Sequence, residues 1–233
     1  LTFNEYKEAL QEIVNPDAVR LGIKGIYKNR SELAQATPFE TLFKMVQEEI
    51  FIGGSSLLSI STASREMIKD KVLSGIKVRL LVMDSNSPVV DLITKQGGGR
   101  HTFRNEIKTS LLLLQKLNHE IAVANNFNKG ELIVHSYDTI PSHSFISIDA
   151  QRSSGLIVAD IGPYLGRSTP RPSMQVINKK NGMFGYWKEM NEIMWENSKP
   201  VSMEVSDTST VDTKTLVLGS GTDTDYYDPE SGT

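Results

Sequence analysis

The sequence predicts an α/β sandwich: one main domain with a central, mostly mixed sheet flanked by helices. Three observations carry this. Short apolar runs of strand length alternate with helically periodic segments along most of the chain. One run, "IKVRLLVMD" (residues 76–84), is apolar at successive positions, as a strand covered on both faces requires. The 233 residues, 39% of them hydrophobic, suffice for one well-filled core.

The elements follow in order. "FNEYKEALQEIV" spaces Phe3, Tyr6, Leu10 and Ile13 at three- and four-residue intervals, predicting an amphipathic lead-in helix within residues 1–20, ended by Asn15-Pro16. "GIKGIYKN" is a short strand, followed by Arg30-Ser31-Glu32. In "TPFETLFKMVQEEI", Thr37 reads as an N-cap, Pro38 as the first helical residue and Glu40 as its capping-box partner. "EIFIGGSSLLSIS" is an apolar strand running into Gly53-Gly54-Ser55-Ser56. "SREMIKDKVLSG" is a helix closed by Gly75, and "IKVRLLVMD" the most strongly patterned strand. "PVVDLITKQ" forms a short helix ending at the triple glycine 97–99, and "FRNEIKTSLLLLQKLN" a long one. Strands are predicted at "EIAVAN", "ELIVHSYD", "SHSFISID", "GLIVADIG" and "SMQVINK". The closing helix, "GYWKEMNEIMWENS", stops before Pro200 and sets Tyr186, Trp187, Met190, Ile193, Met194 and Trp195 in an apolar stripe, a core face by its period.

Composition narrows the function classes. There is no cysteine and no apolar run of membrane-spanning length, so the expectation is a soluble, cytoplasmic protein without disulfides, thiolate metal sites or a membrane span. The first residue is Leu1, which is compatible with a piece of a longer chain bearing other domains. From Ser206 to Thr233 six acids face one lysine, so this stretch carries −5 and the rest of the chain +2, and the acidity belongs to the end segment, residues 201–233. This Ser/Thr/Asp-rich segment reads as a flexible acidic tail. The body carries only +2, too little for a strong nucleic-acid footprint, although a local basic groove stays open.

Several constellations carry chemistry. Gly53-Gly54-Ser55-Ser56 follows a strand and precedes a helix, where backbone N–H groups cradle phosphate; a structural turn is the other reading. Asp84, in "DSNSP" at the carboxyl end of the best strand, either orients a ligand or forms an Asx turn capping the next helix. "GGGRHTFRNEIK" gathers Arg100, His101, Arg104 and Glu106 after a glycine-rich loop, with Arg104 the preferred ligand-facing arginine. "GRSTPRPS" holds Arg167 and Arg171 among prolines, either an oxyanion clamp or a strand connection. His119 and His135 lack ligand spacing, and neither a metal nor a cofactor is expected.

The succession "GIYKNRSE", a capped helix, "EIFIGGSSL", a helix closed by glycine, "GIKVRLLVMDSNSPVV", a long helix, paired strands, "SFISID" and "YWKEMNEIMWENSKPV" resembles a phospholipase-D-like domain. More narrowly it resembles a bacterial family of that fold with no assigned function, over about residues 21–200. Active members of the superfamily use a histidine, a lysine two residues on, an aspartate five residues after that and a Gly-Ser turn. Two copies bring their histidines together as nucleophile and general acid at a dimer interface, without metal. His143 matches the histidine, Phe145 stands where the lysine belongs, Asp149 falls six residues after His143 rather than seven, and Gly166-Arg167-Ser168 stands near the Gly-Ser turn. The resemblance places Arg104 and Glu106 after the Asp-containing turn and leaves Arg104, Arg152 and Arg167 to replace the lysine. It implies a catalytically degenerate, homodimeric module for a phosphate-bearing ligand, a nucleotide, lipid headgroup or nucleic acid. A metal-independent phosphodiesterase or nuclease and a structural interaction module are the alternatives.

Overall fold

The computed structural model describes residues 16–96, 102–124, 130–162 and 171–203. In chain order these form α1 (Pro16–Arg20), β1 (Ile23–Tyr27), α2 (Arg30–Ala36), α3 (Phe39–Met45), β2 (Glu49–Gly53), α4 (Leu58–Thr62), α5 (Arg65–Leu73), β3 (Lys77–Met83), α6 (Pro88–Gln96) and α7 (Phe103–Val123). There follow β4 (Leu132–Tyr137), β5 (His143–Ile148), β6 (Leu156–Ile161), β7 (Ser173–Ile177), α8 (Phe184–Glu196) and β8 (Lys199–Pro200). The eight strands make one sheet in the order β1-β7-β6-β5-β2-β3-β4-β8.

That sheet has two halves. β2, β3 and β4 run parallel, joined by the helical crossovers α4–α5 and α6–α7. Both crossovers step the same way along the sheet, and the right-handed rule puts all four helices on one face. β5, β6, β7 and β1 follow as antiparallel neighbours. β3 lies in the middle of the parallel half with Val78, Leu80, Leu81, Val82 and Met83 fully buried, which explains an apolar run broken only by Arg79.

α8 covers the opposite face. Its N-terminal half packs Phe184 and Trp187 on Ala150, Ile157, Ala159, Met174 and Val176. Its C-terminal half is tied down by Arg79, whose guanidinium donates to both oxygens of Glu49 (2.9 and 3.0 Å) and of Glu192 on α8 (2.7 and 2.7 Å). Arg79 also lies 4.0 Å over the Phe51 ring. Burial disfavours its charge, but the two carboxylates outweigh this and hold its pKa above the ordinary arginine value.

Some expectations are corrected. The helix predicted to begin at Pro38 begins at Phe39, with Pro38 itself at the cap and no side-chain cap bond from Thr37. The capping arrangement sits one helix earlier, where Asn29 accepts from the Glu32 N–H and the Glu32 carboxylate accepts from the Lys28 N–H. "EIAVAN" is not a strand: α7 continues to Val123, because Ile121 extends the buried Ile107, Leu114, Leu117 stripe at helical spacing. Pro16, expected to end the lead-in helix, instead opens α1, and residues 1–15 lie outside the described residues. On α8 the inward face is Phe184, Trp187 and Asn191, whereas Tyr186 and Ile193 are exposed.

Candidate functional site

β5 separates two environments. Along a strand, side chains alternate between faces, so His143, Phe145 and Ser147 point one way and Ser144, Ile146 and Ile148 the other. The His143 side is closed by α8. The Ser144 side opens into a cavity.

On the closed side, the His143 imidazole is buried and both ring nitrogens are engaged. Ser142 Oγ lies 2.8 Å from Nδ1, and Asn191 Oδ1 on α8 lies 2.9 Å from Nε2. For a neutral ring this means that Ser142 donates to Nδ1 and Nε2–H donates to Asn191. Burial pushes the His143 pKa below its ordinary value, against the smaller opposing effect of the Asn191 hydrogen bond, so neutrality is the favoured state. Trp187 meets the ring edge-on at 5.1 Å and Phe145 lies 5.5 Å away. Phe145 in turn stacks edge-on against Phe51 at 4.7 Å. A Cβ on Gly53 would sit 2.2 Å from the Phe145 ring, so the first glycine of the "GGSS" stretch is required by the phenylalanine beside it. An imidazole that attacks phosphorus has to present a free nitrogen lone pair; here one nitrogen carries the proton and the other accepts from Ser142.

Asp149 is at the far end of the same strand, about 20 Å from His143 at ~3.3 Å per residue. Its carboxylate accepts from three backbone N–H groups, those of Gln47 (2.9 Å), Glu48 (2.9 Å) and Glu49 (3.0 Å), and so fixes the entry into β2. Asp149 itself is left-handed at φ 46°, a conformation aspartate tolerates better than most residues.

The open side holds a cavity of about 140 Å³ lined by Arg30, the Ile52–Ile60 segment, Ser144 and Arg171. Next to it runs a row of polar side chains set in register across three antiparallel strands: Ser144 on β5, which lines the cavity, faces Asp160 on β6, which faces Ser173 on β7. Asp160 is buried and accepts from Ser144 Oγ (2.9 Å), Ser173 Oγ (2.6 Å) and Arg30 Nη2 (2.5 Å). Arg30 is the first residue of α2, held there by the Asn29 cap, and its side chain is half exposed. The loop from Gly53 to Ser56 forms one wall. The Gly54 N–H donates to the Leu81 carbonyl and Ser55 accepts from the Met83 N–H, which pins the loop to the end of β3. Leu57 is left-handed at φ 54°, and Gly54 leaves room for its side chain, since a Cβ there would lie 2.9 Å from Leu57 Cδ2. Such strain in a bulky apolar residue persists only where the surroundings enforce it.

The sequence-derived candidates therefore separate. Gly53, Gly54, Ser55 and Ser56 line the cavity, as does Arg171. His143 and Asp149 do not share a site. Arg104 donates to the Ser85 carbonyl and pairs with Asp91 at 2.7 Å, clipping the turn after β3 to α6. Glu106, on the first turn of α7, accepts from Thr102 Oγ1. Asp84 forms the Asx turn, accepting from the Asn86 N–H at 2.8 Å, while Ser87 caps α6 through the Val89 N–H. Arg152 pairs with Glu48 in an exposed position beside Asp149. Arg167 lies outside the described residues, as do Gly166, Ser168, Arg100 and His101. His119 is exposed, and His135 stacks on Trp195 at 3.8 Å. Arg30, Ser144, Asp160 and Ser173 are not among the sequence-derived candidates. For Ser144 and Asp160 the signal was the alternation in "HSFISI" and "LIVADI", a polar residue at an otherwise apolar position.

Among the described residues no cluster of three His, Cys, Asp or Glu is placed to hold a metal, and no helix is long and apolar enough to cross a membrane.

Fold and site together define an α/β domain with a two-arginine cavity on one face of a mixed sheet and a sealed histidine on the other. By its sequence, residues 21–202 match the family described as "Domain of unknown function (DUF5919)", and the chain belongs to that family. No curated protein matches it. Among solved structures it is similar to TrmBL2, an archaeal chromatin protein whose structure shows a novel mode of DNA binding (14% identity, TM-score 0.45). The match covers 85% of this chain and 62% of that one, so this chain spans less than two thirds of TrmBL2. It is similar also to Nuc, a phospholipase D family member from Salmonella typhimurium (8% identity, 69% of this chain and 86% of that one, TM-score 0.41). A third similar structure is NucT from Helicobacter pylori (12% identity, 76% of this chain and 98% of that one, TM-score 0.43).

Proposed function

We propose that the protein is a catalytically silent phospholipase-D-like domain that binds the phosphate group of a small ligand, a nucleotide or a headgroup, in the Arg30–Arg171 cavity and acts as a ligand-sensing module. The observation that carries the reading is the cavity itself. Arg30 and Arg171 both line a recess whose walls also carry the hydroxyl-bearing Ser55, Ser56 and Ser144, and none of the described residues lining it is acidic. A volume near 140 Å³ takes a phosphate and the atoms next to it, and is smaller than the ~300–1,000 Å³ that encloses a whole drug-sized ligand. The rest of the ligand lies outside the recess.

The silence of the histidine side supports the same reading. His143 is packed under α8 with both nitrogens engaged, and Phe145 fills the space where a phosphate-binding lysine would project. The test is a thermal-shift series with nucleotides and glycerophosphate esters on the wild-type chain and Arg30→Ala. A ligand at 100 times its dissociation constant adds about 2.7 kcal/mol of stability, and Arg30→Ala is expected to remove that gain. Cleavage of a generic phosphodiester in excess chelator, lost in His143→Ala, would overturn the reading in favour of an enzyme. The absence of any anion-dependent shift would overturn it in favour of an interaction module.

A further inference from the structure

We infer that the face of the sheet crossed by α8 is a docking surface, and that its occupant is the chain's own N-terminal segment, residues 1–15, laid beside α8 as a second helix. The surface lies on the face opposite the phosphate cavity, and the inference does not rest on the proposed function.

The starting observation is uneven cover. α8 crosses its face from β6 and β7, where Phe184 packs, to β4, where Trp195 stacks on His135. A helix is about 10 Å wide, whereas six-residue strands such as β5 and β6 are about 20 Å long. α8 therefore leaves a band of sheet bare.

Contacts of α8 locate the band. Lys188 donates to Gln151 beyond the end of β5, and Glu192 accepts from Arg79 near the start of β3. That flank of α8 faces the end of the sheet where β2 and β3 begin. By helical rotation Tyr186 and Ile193 lie on the other flank, towards the end where β5 begins and β6 stops. Both are exposed, Tyr186 by 56%. On the sheet, Ile26 is 67% exposed; it pairs with Met174, which pairs with Ala159, and both of these pack under α8, so Ile26 shares their face. Ile161 is also exposed and pairs with His143, which puts it on the same face. The band thus has an apolar floor at Ile26 and Ile161 and an apolar wall at Tyr186 and Ile193, a grouping that marks an interaction surface.

Length, connection and charge choose the occupant. Phe3, Tyr6, Leu10 and Ile13 make an apolar stripe about 15 Å long at ~1.5 Å per residue. The span from β1 to β5 is roughly 14 Å at ~4.8 Å per strand gap. Residues 1–15 join α1 at Pro16, and Leu21, the residue after α1, accepts from the Met183 N–H just ahead of α8. The segment therefore enters from the β1 side, where Ile26 lies. Glu5, Glu8 and Glu12 against Lys7 give it a side-chain charge of −2, and the exposed Lys24 and Lys28 stand two residues to either side of Ile26. The covalent connection makes docking intramolecular, an advantage in effective concentration that a separate partner lacks.

The chain has no cysteine, so a nitroxide can be attached at a single introduced one. In the full chain, Gln11→Cys bearing the nitroxide is expected to cut the Ile26 and Ile161 methyl NMR signals to less than half their intensity in the reduced, diamagnetic sample. Leu92 on α6 and Val123 on α7, in the helical layer of the other face, keep theirs. Adding Leu10→Asp is expected to restore the Ile26 and Ile161 signals. Unchanged Ile26 and Ile161 signals, or equal losses at Leu92 and Val123, would overturn the docking, and so would losses that survive Leu10→Asp. A mixture of isotope-labelled chain lacking the nitroxide with unlabelled chain carrying it is expected to show no loss; a loss there would assign the band to a second copy and overturn the intramolecular occupant. Should Leu10→Asp disturb the fold, seen as shifts of Leu92 and Val123, the Gln11→Cys chain and the mixture decide by themselves.

Discussion

The two sides of β5 differ in what fills them. Beneath α8, aromatic rings occupy the volume and hydrogen bonds close on one another: His143 to Asn191 and Ser142, Phe145 over Gly53. On the other side, one residue away in sequence, Ser144 opens onto a recess where Arg30 is half exposed. The difference teaches that one strand can serve two unlike environments, because the alternation of side chains isolates them. A substitution on the closed side is therefore expected to act on stability, and one on the open side on binding.

The largest expected effect tests the closed side. Phe145→Ala removes a fully buried ring that packs on Phe51, His143 and Gly53. Urea denaturation is expected to show a loss of about 3–5 kcal/mol. A cost under about 1 kcal/mol would mean that the closed side is loosely filled and the contrast between the faces false. The next effect is smaller and lies at the end of the strand. Asp149→Ala leaves three N–H groups at the start of β2 without their carboxylate, an expected cost of about 2–3 kcal/mol. The same variant should bind anions as the wild type does once folded, and altered affinity would tie Asp149 to the cavity after all.

The smallest effect is the dependence on pH. Burial holds the folded His143 pKa below the ordinary 6.5, so the unfolded chain binds the proton more readily. The stabilising contribution is complete above about pH 6.5 and is lost as pH falls from there toward the folded value. The melting temperature of wild-type protein should therefore drop between pH 7.5 and 5 more steeply than that of His143→Gln. His135, lowered by burial and by the Arg79 charge, accounts for part of the slope that remains. Equal slopes in the two proteins would show that His143 is solvated rather than sealed.

The architecture was legible in the sequence because most elements are marked by local pattern. "IKVRLLVMD" has the β-branched and apolar content of a doubly covered strand, and the Gly75 that closes α5 adopts the positive φ of 91° that its position demands. Where tertiary packing decides, the pattern misled. "EIAVAN" carries β-branched residues, yet Ile121 falls on the buried stripe of α7 and the helix runs on. The site was legible in part. Gly53 to Ser56 and Arg171 could be singled out by residue type, but Arg30 and Asp160 are 130 residues apart and meet only because β1, β7 and β6 are neighbours in the sheet. No local spacing encodes that meeting. The histidine drew attention for the opposite reason: its spacing matched a motif, whereas its environment depends on Trp187 and Asn191 from a helix more than 40 residues away.

The sheet order also sets the distance between the two ends of the described fold. β1 and β8, the first and last strands described, occupy opposite edges, seven inter-strand gaps apart, which is roughly 34 Å along the sheet at ~4.8 Å per gap. The polypeptide comes in at one flank and goes out at the other. The two ends of the described fold are therefore held a full sheet width apart, and every inter-strand ladder lies between them.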